Sequence, residues 1–260
     1  MKISRRLGRA LGSWSNPDNR LSRRFHALME VPGSIECRVI ERVNRFVVKV
    51  DLSGSEALAY LQNTGRLRDY LKPNRIGFCA PLKNPGKLSY RLFAVKDDGF
   101  SALIDTLLQV RGFEKAVERG LIPWLRGYRI ERREVSVDYV RLDYLVRRGS
   151  DRAFIELKSG VLRMGDYAAY PDCPSKRARD QLKATMKLAR RGERVFLVFA
   201  AAIPGVGGFR LNPEADRELC GLVAEAAEAG VIVKSIQLCY NHEESSVILL
   251  DPDLPVKIYG

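Results

Sequence analysis

Residues 141–158 read RLDYLVRRGSDRAFIELK, two alternating runs on either side of Gly149-Ser150, and this stretch limits the possible folds more than any other. Gly at the first central position suits a type II′ turn, so the pattern predicts a two-residue β-hairpin. Counting outward from the turn sets Asp143 opposite Glu156 and Arg141 opposite Lys158. Side chains alternate across a strand. One face therefore collects Leu142, Tyr144, Val146, Ala153, Ile155 and Leu157, a core face. The other, expected to be open, collects Arg141, Asp143, Leu145, Phe154, Glu156 and Lys158. Directly opposed side chains have Cβ atoms roughly 5 Å apart. Two carboxylates at that separation repel unless a divalent cation, a shared proton or a neighbouring Lys158 or Arg141 joins them. A hard cation such as Mg²⁺, which takes one or two carboxylates and keeps several waters, suits the pair. The same residues also read as a solvated strand face on which lysine and arginine neutralise the acids.

The remaining composition narrows the function. The 260 residues are 46% hydrophobic, enough to pack one large or two ordinary domains. Lys+Arg 44 against Asp+Glu 31 leaves a net charge of +13. That balance favours a polyanionic partner, nucleic acid before an anionic membrane surface. Cys37, Cys79, Cys173, Cys220 and Cys239 are widely spaced without a CxxC, which disfavours a zinc knuckle or a disulfide framework and predicts a reducing, cytoplasmic setting. The longest apolar run, Val195–Ile203, ends at Pro204, well short of the roughly 18 residues of a membrane span. No membrane association is expected, and nothing in the pattern sets an oligomeric state. With His26 and His242 as its only histidines, the chain would have to rest any catalysis on carboxylates and lysine.

Along the chain, residues 1–33 read as a basic arm carrying Arg5, Arg6, Arg9, Arg20, Arg23 and Arg24, with no apolar secretory core. Residues 34–104 hold five short strand patterns, Glu36–Val43, Phe46–Leu52, Ala57–Leu61, Arg75–Ala80 and Ser89–Val95, a count that suits an OB-like barrel. Phe46, Tyr60, Tyr90 and Phe93 near Arg45, Arg75 and Arg91 form a pattern able to stack bases over a basic track, or simply to fill the barrel. Asn63-Thr64-Gly65 is a turn signal. Residues 105–260 read as α/β. A helix is expected over Asp105–Gly120 with Val110, Phe113, Ala116 and Val117 inward, and a second from Ser175 to Arg191 with Ala178, Leu182, Met186 and Ala189 inward. Val195–Ala202 reads as a buried strand in a parallel crossover, and Asn212-Pro213 as the start of a helix running to Ala229. Val231–Tyr240 reads as a further strand, and Ile248–Ile258 as a closing strand or tail.

Asp143 followed by Glu156-x-Lys158 resembles the active-site pattern of the PD-(D/E)XK nuclease superfamily. Seven segments, QNTGRLRDYL, PGKLSY, IDT, REV, RLDYLV, FIELKSG and YPDCPSKRARDQL, resemble in order and spacing the sugar fermentation stimulation protein A family, from about Arg38 to Pro255. The resemblance implies an OB-like barrel followed by a restriction-endonuclease-like α/β domain with a mixed sheet. It also implies DNA binding, with Asp143 and Glu156 holding Mg²⁺ or Mn²⁺ and Lys158 orienting water or stabilising the pentacovalent phosphate. Glu114 falls where the superfamily often carries an accessory acid, although it reads equally as a surface glutamate among the Glu114-Lys115 and Glu118-Arg119 pairs, and Gln181 falls where the superfamily often carries a Gln or Lys near the metal. Ser159, Gln181 and Ala178 depart from the Asn, His and Gly usual in the family. Arg45, Arg91, Arg177, Arg179 and Lys183 are the expected nucleic-acid contacts. A non-catalytic DNA-binding regulator of sugar metabolism genes and, by fold analogy, a saccharide-binding module are the rival functions.

Overall fold

A computed structural model describes residues 25–258, so most of the expected basic arm, including all six of its arginines, lies outside the described residues. The last part of that stretch is not an arm. Residues His26–Glu30 form strand β1, and Leu28 and Val31 are buried.

Five strands follow: β2 (Ile35–Asn44), β3 (Val47–Leu52), β4 (Ser55–Tyr60), β5 (Ile76–Pro81) and β6 (Tyr90–Lys96). They pair in the order β4-β3-β2-β5-β6, and a parallel pairing of Ala59 with Tyr90 and Tyr60 with Arg91 closes the circle. This is the expected OB barrel. Val48, Val50, Ala59 and Leu92 are buried, as inward positions of a small barrel must be. Phe93 is buried as well and meets Tyr240 edge-on at 4.8 Å, so it packs rather than stacks bases. Tyr90 is half-buried against the same core, and Arg75 lies over Tyr70 while donating to the Lys96 carbonyl, so neither joins a basic track.

A short strand β7 (Ser101–Leu103) leaves the barrel and leads to helix α1 (Thr106–Glu118). Asp105 caps α1 by accepting from the Leu108 N–H at 2.8 Å, and Gly120 takes φ +64 just beyond its end. Then come β8 (Arg129–Val137), β9 (Val140–Arg148), β10 (Asp151–Gly160), β11 (Leu162–Met164) and β12 (Tyr167–Tyr170). Helix α2 (Lys176–Arg190), β13 (Arg194–Ala201), β14 (Gly208–Leu211), helix α3 (Arg217–Glu228), β15 (Ile232–Asn241), β16 (Ser246–Asp251) and β17 (Val256–Lys257) complete the described chain. Beyond the barrel the sheet runs β7-β15-β13-β10-β9-β8, with β16 and then β1 branching from β15. It is mixed: β10 is parallel to β13 and antiparallel to β9. β11, β12, β14 and β17 form a second small sheet that the sequence reading missed.

Helix α3 starts later than expected. The Asn212 backbone N–H donates to the Tyr170 carbonyl and its side-chain amide to the Pro171 carbonyl, so residues 212–216 stay a turn. Asp216 is the cap instead. The hairpin face expected to be open is also corrected. Phe113 of α1 packs against Tyr144 on one face of the sheet, while α2 covers the other, burying Phe154 and Glu156.

Candidate active site

The hairpin register follows the turn. Gly149 has φ +59, and Arg148, Arg147, Val146, Leu145 and Tyr144 pair in turn with Asp151 through Ile155. Beyond Tyr144 the ladder stops. Asp143 does not face Glu156 across a continued ladder; its carboxylate accepts the Leu157 N–H at 2.7 Å. β10 is paired on its other edge with β13 from Ala153 to Gly160, and only that parallel ladder continues past Ile155, pairing Glu156 with Leu197 and Lys158 with Phe199. Asp143, Glu156 and Lys158 still come together, on the wall of one cavity of about 390 Å³.

That cavity lies where the barrel meets the α/β domain. The barrel side supplies Phe46, Tyr60 and residues 61–65; α1 supplies Thr106, Gln109 and Val110; α2 supplies Arg177, Ala178 and Gln181. Glu156 is 2% exposed. Lys158 Nζ donates to Glu156 Oε1 and to Gln181 Oε1, both at 2.6 Å. Gln181 is held in turn by donating Nε2 to the Arg141 carbonyl at 2.9 Å. Burial pushes the Glu156 carboxyl up to about 7, with the nearby Asp143 charge adding to the effect and Lys158 opposing it. Asp143 is also raised by burial, against the Leu157 N–H and the charges of Lys158 and Arg177.

The site leaves donors for a cation. Glu156 Oε2 and Ser159 Oγ are buried without a hydrogen-bond partner, and both residues line the cavity. A bare buried carboxylate oxygen is costly unless something binds it. Among the described residues no group of three or more His, Cys, Asp or Glu forms a metal cage. The donor set is therefore two carboxylates with oxygen neighbours and room for water, which fits Mg²⁺ or Mn²⁺ rather than a thiophilic metal.

Other expected site residues are placed elsewhere. Glu114 forms a two-point ion pair with Arg133, at 2.7 and 3.2 Å, and does not line the cavity. Arg91 Nε lies 3.1 Å from buried Asp105 Oδ2, too poorly aligned for a hydrogen bond, so it serves as an internal counter-charge rather than a phosphate contact. Arg179 is tied to Asp216 and Glu218 and joins α2 to α3. Lys183 is exposed on α2 away from the cavity, and Arg141 pairs with Glu134 instead of the acids. Arg177 does reach the site and acts on both acids, and Arg45 sits 5.6 Å from the Phe46 ring.

Some residues of the junction gave no signal in the sequence. Arg42 donates to the carbonyls of Asn44, Arg45, Asn63, Gly65 and Arg66, and Asp172 accepts from the Arg66 N–H at 2.6 Å, clamping the barrel to the α/β domain. Asn63 Oδ1 accepts the Gly65 N–H within that turn, as the Asn63-Thr64-Gly65 signal leads one to expect. Thr106 and Gln109 were visible only as helix residues.

A closed OB barrel sharing one sheet with a mixed α/β domain, and an acid pair with lysine at their junction, define the class of protein. The chain belongs to the sugar fermentation stimulation protein family: residues 40–104 match its N-terminal OB domain and residues 108–244 its RE domain. The sugar fermentation stimulation protein homologs of Pyrococcus furiosus and Archaeoglobus fulgidus are each 43% identical over 231 residues, 89% of this chain and 99% of theirs. The structure of Pyrococcus furiosus SfsA in complex with Ca²⁺ is similar with a TM-score of 0.85 at 42% identity, covering 89% of this chain and 99% of that one. Among the described residues, no helix is long and apolar enough to cross a membrane.

Proposed function

We propose that the protein is a DNA-binding phosphodiester hydrolase dependent on Mg²⁺ or Mn²⁺. The observation that carries this reading is the unpartnered, buried Glu156 Oε2 beside Asp143 and Lys158 in a cavity at the domain junction. That a relative 42% identical to this chain is described in complex with Ca²⁺, another hard oxygen-seeking cation, supports it. Asp143 and Glu156 would hold the cation, which when bound neutralises phosphate charge and acidifies a coordinated water. Lys158, fixed by Gln181, presents an ammonium to the transferring phosphate, where a charge held in place beforehand needs no reorganisation as the reaction proceeds. Arg177 at the mouth orients the strand.

Incubation of DNA with the full chain and Mg²⁺ or Mn²⁺ should give cleavage that EDTA stops. Asp143→Ala and Lys158→Ala should each lower the rate by at least about a hundredfold while leaving DNA binding largely intact. Cleavage persisting in both variants would sink the assignment.

One observation favours a second reading, a non-catalytic DNA-binding regulator: Lys158 already neutralises Glu156 without a metal. Binding that is intact in wild type, with no cleavage under any divalent ion, would select it.

A further inference from the structure

We propose that the junction cavity takes a single unpaired nucleotide of a DNA strand, its base against Phe46 and Tyr60 and its phosphate toward Asp143, Glu156 and Lys158. This rests on the hydrolase reading of the site and narrows its substrate to single-stranded DNA.

Access is the first argument. Glu156 is buried and only 11% of the Lys158 side chain is exposed, so a phosphate reaches them by entering the cavity. The barrel segment at 61–65 and the start of α2 both line it. A volume of about 390 Å³ lies at the small end of the range for compact ligands. It is of the size of one nucleotide. It is too small to enclose a base pair with both of its backbones.

The rim supplies the second argument. Phe78 and Phe93 of the barrel are buried, whereas Phe46 is 47% exposed and lines the cavity. Its backbone is fixed: the N–H donates to Asn44 Oδ1 at 2.8 Å and the carbonyl accepts from Leu61 N–H at 2.8 Å. An exposed ring on a braced turn is a ready platform for a base, and the Arg45 guanidinium beside it adds cation–π character. Tyr60 lies on the same wall. Arg45 and Arg66 both sit close enough to Cys173, in the cavity lining, to act on its thiol, and Arg177 acts on the acids. Arg177 thus stands in the lining and Arg45 and Arg66 close to it, with Asp172 the acid among them.

The test uses the full chain with a fluorescent oligothymidylate of roughly a dozen nucleotides and a blunt duplex of equal length, at one fixed salt concentration. Without metal, the single strand should bind at least about tenfold more tightly than the duplex. Phe46→Ala should weaken single-strand binding by about tenfold, Phe46→Trp should restore it, and neither should change duplex binding. Equal affinity for the two substrates, or a Phe46→Ala variant that binds the single strand like wild type, overturns the inference. With Mg²⁺, equal cleavage of duplex and single strand unaffected by Phe46→Ala would also overturn it while leaving the hydrolase reading standing. Phe46-dependent single-strand binding with no cleavage would do the reverse.

Discussion

At the residue scale, the decisive feature is a carboxylate with one oxygen on Lys158 and the other bare. Burial holds the Glu156 carboxyl up to about 7 in the folded chain, above its ordinary value. Its contribution to stability is thus complete below the unfolded value and is lost as pH rises through about 7. Glu156→Gln removes that loss. In urea unfolding the variant should match wild type near pH 4 and exceed it near pH 8, by about 3 kcal/mol as an upper figure. Mg²⁺ should offset the deficit of wild type at pH 8, since a ligand bound only by the folded state stabilises it, and should do less for the variant. Equal stability of the two proteins at both pH values would show that Glu156 is not buried as an acid. The alternation of its neighbours puts Glu156 on the strand face it shares with Lys158. Its burial was misjudged because nothing local says that α2 lies over that face.

At the element scale, helix ends were legible wherever the capping side chain had no competing partner. Ser175 accepts the Ala178 N–H, and Gly192 takes φ +84 after α2, as their residue types predict. Asn212 looks like a cap but spends its amide on another loop, so α3 waits for Asp216. β8 was missed because its exposed charged positions, Arg129 and Glu131 to Glu134, interrupt any alternation of apolar residues. Asp216 does two jobs, accepting the Leu219 N–H at 3.0 Å and Arg179 NH2 at 2.9 Å. Burial works to raise its carboxyl, but the Leu219 N–H and Arg179 outweigh it and hold the group below the ordinary value. Its stabilisation is therefore present above the unfolded value and is lost as the solution is acidified through the folded one. Asp216→Ala should cost about 1–2 kcal/mol from the cap alone, and Asp216→Asn less, in chemical denaturation at neutral pH. An Asn variant as unstable as the Ala variant would mean that the ion pair, not the cap, dominates.

At the scale of the whole molecule, the candidate site exists only because two domains share an edge. β7 and β15 join the barrel to the central sheet, and the Arg42–Asp172 region fixes the barrel turn over the acids. A Cβ at Gly65 would meet the Asp172 carboxylate, which would then have to shift. Asp172→Ala removes the acceptor for the Arg66 N–H, and Gly65→Ala displaces it. Both should speed limited proteolysis between residues 61 and 68 and lower nucleic-acid cleavage, with the far-UV spectrum kept. Unchanged proteolysis in both would show that the clamp does not hold the turn. The large positive charge is less available than its count implies, since Arg91, Arg133, Arg147 and Arg179 are each paired with an acid.

By itself, then, the order of residues determined what is local and periodic: the hairpin register from a glycine turn, the barrel strands from alternation, two helices from their caps, and the strand face that Glu156 and Lys158 share. Those follow because a backbone conformation and a repeat of two or 3.6 are written into neighbouring side chains. Only the tertiary structure decided which acids share a cavity, that Glu114 and Arg91 are spent on ion pairs, that Phe46 stays exposed while Phe93 is buried, and that Asp172 braces a turn a hundred residues away. Those depend on which surfaces meet across the junction, and contacts between residues far apart in the chain leave no period in the sequence.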